Sequence, residues 1–404
     1  MPATHCIYSV AFFLIFCISH SSFSQSYTIL GQEGNRIPLT SAPFLRISPD
    51  ARAAGMGETG VATSADANSA YWNPAKMVRL EENLSISYSF TPWLRKVVND
   101  MFLQHAAVAF KLRSDQALGF SVTQLNLGDI QMASPTGALL QIESPNEMAV
   151  SFFYSYSFNE NLSLGTNAKF ITVSHDRNSA TSLYEAIDNV AIDLGALYQK
   201  ETTVLGGDGF VNLGMTITNL GPKMEYLEAQ LFLPATLKLG TAVGIQLGAN
   251  HCLSWSVDIS KLLVPSPPVY ATDDNGQRIL TNPSDPDSPP VIARGKDPNR
   301  AWLSGTFGSF TDAPDGLSEE IQEVVLATGL EYWFTDMVAL RGGYYREAID
   351  KGNRQHFTVG LGGRYKLLGL DLAYLFPQGL AGRNHPLQDT FRFSLMLRMG
   401  DQTR

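Results

Sequence analysis

Long segments in which apolar and small polar residues alternate restrict this chain more than any other feature. In Leu84–Phe90 the even positions are apolar and every odd position is serine, and the same alternation recurs at 148–158, 162–170 and 391–398. Successive side chains of a β-strand point to opposite faces, so each segment has one apolar face and one small or polar face. We count fourteen such runs in the sequence. Many are about ten residues long, whereas soluble strands usually have about five or six.

The polar faces and the composition favour a membrane barrel over a soluble sandwich, which would also alternate. Charged residues make up 17% of the chain, against about 25% in soluble domains. The predicted inner faces carry serine, glycine and single charges such as Lys169, Asp193, Asp258 and Arg364. Beyond the N-terminus no apolar stretch reaches the length of about 18 residues that a spanning helix needs. We therefore predict an all-β membrane protein, a fourteen-stranded antiparallel transmembrane β-barrel.

The connections between the runs predict an orientation. Short turns alternate with long loops, of which 261–322 is the longest. Outer-membrane barrels have short periplasmic turns and long external loops, and an even strand number returns the chain to its starting side. We expect the barrel to occupy residues 83–400 in the outer membrane of a Gram-negative bacterium. Its long loops are then extracellular and both termini periplasmic. The net charge of −9 argues against a nucleic-acid partner.

The N-terminus predicts export. Residues 7–18 form an apolar core of the length found in signal peptides, and Ser22 and Ser24 suit a cleavage site. We place the signal peptide at residues 1–24. Two cysteines leave with it, so Cys252 is alone in the mature chain and no internal disulfide is expected.

Residues 25–82 precede the first strand and do not alternate. Ser48–Gly55 predicts one short helix, with Ser48 as its cap and Pro49 in its first turn. A second helical piece starts near Asp66 and ends before Pro74. Apolar residues of this segment need burial, which favours a hatch inside the barrel over a loose periplasmic domain.

The long loop 261–322 forms a second region outside the wall. It is rich in proline, and its last part contains Trp302, Phe307 and Phe310 before a predicted short helix at 317–323. These aromatic residues are candidates for covering the barrel mouth or for contacting a partner. Packing against one another within the loop is the alternative.

Motifs for catalysis are absent from the sequence. It contains no G-x-S-x-G, H-E-x-x-H, P-loop or C-x-x-C pattern, and its histidines are scattered. We expect no enzymatic activity, no catalytic residues and no metal site. Charges of both signs on the inner faces, including Lys111, Lys238, Glu331, Arg341 and Asp371, can pair across the interior as structural elements.

The segment before the first strand resembles a known family. The string Pro43-Phe44-Leu45-Arg46-Ile47-Ser48-Pro49-Asp50-Ala51-Arg52-Ala53-Ala54-Gly55-Met56-Gly57, followed by Tyr71-Trp72-Asn73-Pro74-Ala75-Lys76, is similar to the N-terminal hatch of FadL-type outer-membrane barrels. It resembles most the PorV, or LptO, branch of the Bacteroidetes type IX secretion system. The hatch-motif residues implied by the resemblance are Pro43, Phe44, Leu45, Arg46, Asp50, Arg52, Gly55, Gly57, Trp72, Asn73 and Pro74.

This resemblance implies a secretion component. Members of that branch bind the C-terminal signal domains of cargo that leaves the SprA translocon barrel. They pass the cargo to a cell-surface attachment complex that contains the PorU sortase. The resemblance implies no cofactor, and outer-membrane lipid surrounds the wall. The alternative function, from other FadL-type members, is uptake of hydrophobic small molecules through the barrel.

Overall fold

The computed structural model describes residues 36–95, 98–133, 139–174, 186–226, 229–378 and 387–400. The predicted signal peptide, 1–24, lies outside these ranges. Within them, fourteen antiparallel strands form one closed barrel, which confirms the predicted fold. In chain order they are β1 Leu84–Pro92, β2 Phe102–Arg113, β3 Gln116–Asn126, β4 Asn146–Ser157, β5 Leu162–Ser174, β6 Ile187–Val204, β7 Gly207–Leu220, β8 Thr236–Gln246, β9 His251–Leu262, β10 Val324–Phe334, β11 Val338–Arg346, β12 Gln355–Tyr365, β13 Leu368–Pro377 and β14 Phe391–Met399.

Each strand pairs with its neighbours in sequence, and β1 pairs with β14 to close the ring. That last pairing runs from Leu84 opposite Met399 to Phe90 opposite Phe393. Closure leaves no strand edge unpaired, which a hydrocarbon environment requires. The register is regular except for small shifts, such as the one between Ile192 and Leu194 where β6 meets β7.

The alternation in the sequence becomes an outward apolar wall and a buried inner face. In β1 the three serines are buried, whereas Ile86 and Tyr88 are exposed on the outside. Large apolar side chains are exposed around the wall, among them Phe120, Phe152, Phe170, Leu213, Trp255, Leu330, Leu361 and Leu395. Such a surface is stable in lipid and would aggregate in water.

The chain before β1 lies inside the barrel. It contains two short helices, α1 (Ala51–Gly55) and α2 (Ser69–Trp72), and two 3₁₀ turns, Pro43–Arg46 and Pro74–Arg79. Its polar atoms bond to inward-facing groups from separate parts of the ring. Ala51 N donates to Ser394 Oγ of β14 (2.9 Å), and Gly60 N donates to Asp258 Oδ2 of β9 (2.7 Å). We call residues 41–80 the hatch.

The loops lie at one end of the barrel and the short turns at the other. The connections 127–145, 221–235 and 263–323 belong to the loop end. Small two-stranded sheets stiffen them, so they are not wholly irregular. The longest connection also carries α3 (Trp302–Gly308) and α4 (Leu317–Gln322). None of the helices in the described ranges is long and apolar enough to cross a membrane.

The described chain begins at the loop end. Arg36 bonds to Asp315 and Glu319 in the longest loop, and the hatch then runs down the lumen to Arg79, which donates to carbonyl groups of the turn at 159–160. The two ends of the wall, Leu84 and Met399, lie on one side, as the even strand number predicts. Both termini lie outside the described ranges, so the expectation that they share that side stays a prediction. The first described residue, Arg36, lies at the loop end, because the hatch crosses the lumen before β1 starts.

Candidate functional site

Asp50 connects the two short helices of the hatch, α1 and α2. Its carboxylate accepts from Ala53 N at 2.8 Å, which caps α1, and from Trp72 Nε1 at 2.7 Å, which ties α2 to α1. The sequence pattern pointed to Ser48 as the cap. The helix starts at Ala51, so Asp50 is the residue that precedes it and takes that role. Asp50 and Trp72 are both buried.

Arg52 joins the hatch to the barrel wall. Its guanidinium donates to both carboxylate oxygens of Glu331 on β10, at 3.0 and 2.7 Å, and to Asp66 at 3.0 Å. Glu331 also accepts a hydrogen bond from Arg341 at 2.7 Å, and Arg341 in turn donates to Asp371 at 2.8 Å. The predicted pairing of inward charges is therefore confirmed for these residues. Because the network is buried and spans the hatch and β10, β11 and β13, it holds the hatch in one position.

Two glycines allow the hatch backbone to touch the wall. Gly57 has φ +67°, and a Cβ placed there would lie 2.5 Å from the backbone nitrogen of Tyr344. A Cβ on Gly55 would lie 3.0 Å from the Cα of Gly360. Larger residues at these positions would push the hatch away from β11 and β12.

The remaining hatch-motif residues also have structural contacts. Asn73 Nδ2 donates to the carbonyl oxygens of Val61 (3.1 Å) and Ala196 (3.0 Å), and Asn73 caps the 3₁₀ turn that starts at Pro74. Pro43 starts the other 3₁₀ turn, in which Phe44 and Leu45 enter an apolar cluster with β2 to β6. Arg46 pairs with Glu347 at 3.3 Å. These positions form the architecture of the lumen, and the part of the chain that is described leaves them little access to a large partner.

The candidate residues of the longest loop have a different environment. Phe307 is 55% exposed and Phe310 is 42% exposed, whereas Trp302 is half-buried. Both phenylalanines therefore present part of their rings at the surface, and each buries the rest against the protein. Leu303, one helical turn before Phe307, is exposed beside it, and α4 exposes Leu317 and Ile321 at the same spacing. We call these five exposed residues (Leu303, Phe307, Phe310, Leu317 and Ile321) the apolar loop face.

Buried ion pairs hold this loop on the barrel. Lys261 at the end of β9 pairs with Glu320 (2.7 Å) and Glu323 (2.5 Å). Lys351, in the connection between β11 and β12, pairs with Glu319 (2.6 Å) and Glu323 (2.8 Å). Burial would raise the pKa of Glu319, but hydrogen bonds from Arg36 and Lys351 outweigh it and lower that pKa to about 2. The carboxylate is therefore charged at any physiological pH, and the loop has a fixed base.

The candidate residues consequently fall into two groups. The hatch-motif residues lie in the lumen and the aromatic residues lie on the loop, and no hydrogen bond or ion pair between described residues joins the two groups directly. Sequence reasoning missed the anchors Arg36, Lys261, Lys351 and Glu323. They are far apart in the chain, and no local spacing connects them. Within the described ranges no cluster of three or more His, Cys, Asp or Glu side chains could hold a metal ion.

A model of the family described as type IX secretion system protein PorV matches residues 30–269, more than half of the chain. No curated protein sequence matches significantly.

Solved structures with a similar fold include a toluene transporter, a monoaromatic hydrocarbon channel and a FadL homologue. The toluene transporter TbuX of Ralstonia pickettii is 12% identical with a TM-score of 0.45, over 87% of this chain and 98% of that one. The deltaS2S3 mutant of the monoaromatic hydrocarbon channel TodX is 12% identical with a TM-score of 0.49, over 87% of this chain and 99% of that one. A FadL homologue of Pseudomonas aeruginosa is 12% identical with a TM-score of 0.43, over 91% and 100%.

Proposed function

The chain belongs to the PorV family of the type IX secretion system, and from this premise we propose that it receives secreted cargo at the outer membrane. The cargo carries a C-terminal signal domain, leaves through an SprA-like translocon barrel, and is delivered to a PorU-type attachment complex. In this proposal the protein is a carrier in the outer membrane and has no catalytic role.

The observation that carries the proposal is the apolar loop face. Five large apolar side chains are exposed on a loop that buried ion pairs hold in place. Exposed apolar side chains on a fixed segment are typical of a protein-binding surface, because little conformational entropy is lost when a partner binds. The wall below it is apolar all round, which suits lateral movement in lipid and contact with another barrel.

The lumen supports secretion over uptake of hydrophobic molecules. Phe153 and Leu197 face inward and could have lined an apolar channel. Instead they are buried in clusters with hatch residues, Phe153 with Met77 and Leu197 with Ala75. A lumenal cavity between the hatch and β7 to β11 has a volume of about 60 Å³ and a mixed polar and apolar lining. Pockets for drug-sized ligands have about 300 Å³ or more. A second pocket, of about 580 Å³, lies at the short-turn end of β6 to β9, and its lining includes the charged residues Glu201 and Asp208. A long-chain hydrocarbon would require the hatch and its buried ion pairs to move.

Co-purification tests the proposed function. The tagged full-length chain, extracted with mild detergent from cells that secrete cargo, is expected to bring down both the translocon barrel and cargo that retains its signal domain. Cells that lack the protein should accumulate that cargo in the periplasm or release it uncleaved. Normal surface display of cargo in such cells would refute the proposal, and a growth defect confined to long-chain hydrocarbons or fatty acids would favour uptake.

Cysteine labelling tests the proposed orientation, in which the loop end faces outward. Leu39 is 71% exposed and lies between Arg36, which contacts the longest loop, and Ser41, whose N–H donates to Phe232 at the loop end. A Leu39→Cys variant that also carries Cys252→Ser should react with a membrane-impermeant maleimide on intact cells. The wild-type chain is the matched control, because Cys252 lies at the short-turn end and should react only after the outer membrane is permeabilised. The reverse labelling pattern would contradict the orientation.

A further inference from the structure

Lys238 has an unusual position inside the barrel. Its side chain points from β8 into the lumenal cavity of about 60 Å³, which is also lined by Tyr71 and Trp72 of the hatch. The ammonium group lies 4.9 Å from the centre of the Trp72 ring and 5.8 Å from that of Tyr71. Among the described residues it has no hydrogen-bond acceptor and no carboxylate within ion-pair distance. Such a cation in a largely enclosed site is costly unless something else in the cavity accepts its hydrogen bonds.

Three other charged groups around the cavity, Arg46, Arg354 and Glu58, have partners within ion-pair distance. Arg46 and Arg354 both pair with Glu347, at 3.3 and 2.8 Å. Glu58 lies 3.9 Å from Arg392 and 3.8 Å from a histidine on β12. The cavity therefore contains one lysine whose charge is not directly matched, close to two guanidinium groups that share a single carboxylate.

Asp258 also lines the cavity, but its carboxylate forms no ion pair with Lys238. One carboxylate oxygen accepts from the backbone N–H groups of Gly60 (2.7 Å) and Val61 (3.0 Å), which commits Asp258 to holding the hatch. The other oxygen is buried without a hydrogen-bond partner in the described structure. A cation bound there would add a further positive charge beside Lys238. An anion at the ammonium would complement that lysine, provided that it lies on the side of Arg46 and Arg354, away from the Asp258 and Glu58 carboxylates.

We propose that this cavity, the Lys238 pocket, binds a small oxyanion, either a carboxylate or a phosphate group. The volume suits a group of about four or five non-hydrogen atoms or a few water molecules, and excludes an alkyl chain. Leu262 and Val325 belong to the lining and lie where β9 and β10 meet the longest loop, so the pocket lies towards the loop end of the lumen. Lys238 supplies up to three hydrogen-bond donors and the charge that selects the ligand. This inference does not depend on the proposed role in secretion.

Titration of the purified full-length chain in detergent tests the pocket. Sodium acetate and sodium phosphate are added at constant ionic strength, with heat measured by calorimetry and tryptophan fluorescence recorded in parallel. We expect saturable heat with at least one anion, and a fluorescence change because the ammonium shifts relative to Trp72. A Trp72→Phe variant should lose the fluorescence change, because Trp72 is the indole ring nearest the Lys238 ammonium. Acetate alone, phosphate alone, or both binding would each support the proposal and define the geometry of the oxyanion.

Lysine variants separate specific binding from general electrostatics. Lys238→Met should weaken binding at least about tenfold, the effect of losing one charged hydrogen-bond partner. Lys223→Met is the matched control, since Lys223 also lies over an aromatic ring, 4.5 Å from the centre of Phe232, but outside the pocket. Heat-modifiable migration on gels checks that each variant is folded, and Lys238→Gln replaces the methionine variant if that one does not fold. The absence of saturable binding by the wild type, equal affinity in the folded Lys238 variant, or binding of methylammonium instead of the anions would overturn the proposal.

Discussion

Replacing two residues of the apolar loop face is expected to abolish cargo capture while leaving the barrel intact. Leu303 and Phe307 lie one turn apart on α3, and both are exposed. Anchors of protein interfaces often contribute about 2 kcal/mol or more each. The variant Leu303→Ser with Phe307→Ser should therefore reduce co-purified cargo or translocon at least about tenfold, as measured by quantitative immunoblotting after mild extraction. Substitution of exposed residues should change the free energy of unfolding little.

The control for this prediction changes an apolar side chain of similar exposure elsewhere. Leu205 is 87% exposed in the turn between β6 and β7, at the end opposite the loop face. A Leu205→Ser variant should keep wild-type levels of cargo and translocon. If the loop variant co-purifies both at wild-type levels while its expression and gel migration are normal, the loop face is not the binding surface. The secretion role itself would then still be decided by the deletion phenotype.

Removal of Arg52 is expected to loosen the hatch and make the barrel leaky. The Arg52→Met variant keeps the aliphatic part of the side chain but removes the guanidinium that Glu331 and Asp66 share. Breaking a buried ion pair by removing one partner usually costs about 3–5 kcal/mol. Arg341 remains bonded to Glu331, so the expected loss lies towards the lower end of that range. In planar lipid bilayers the wild type should show no steady conductance, whereas Arg52→Met should show frequent open events.

A second arginine provides the comparison for the hatch. Arg79 donates to carbonyl oxygens at the short-turn end, and these bonds are exposed to solvent. Arg79→Met should leave the conductance near that of the wild type. The urea concentration at which half of the protein is unfolded, the urea midpoint, should also change little. If Arg52→Met stays closed with an unchanged urea midpoint, the ion-pair network is not what holds the hatch. A steady conductance in the wild type would show that the hatch does not seal the lumen.

Local sequence patterns predicted the wall well because alternation has a direct geometric meaning. The serines of β1 lie inside and the apolar residues between them lie outside, as the period of two requires. Phe153 interrupts the pattern of β4 and points inward, where it packs against Met77, Val78 and Leu80 of the hatch. Here the pattern fails because the lumen is filled by protein and has its own apolar core.

The sequence predicted that a hatch exists, but it did not predict where its first helix starts or in which direction the segment runs. Its need for burial and its two short helices could be read from Phe44, Gly55 and the residues before Pro74. The cap of α1 moved from Ser48 to Asp50 because the position at which the helix starts depends on where the hatch meets β14. The direction of the hatch, from the loop end to the short-turn end, carries no local signal at all.

By itself the sequence determined the strand number, the two faces of the wall, the extra segment before it and the likeness to a secretion family, since each depends on neighbouring residues or a continuous motif. Only the tertiary structure decided which distant charges meet. Arg52 with Glu331, Lys351 with Glu319, and Lys238 without a direct partner result from barrel closure around the hatch, which brings together residues hundreds of positions apart. Spacing along the chain does not encode such contacts. The strand period fixes the face on which a side chain lies, but it does not determine which residue that side chain meets inside the lumen.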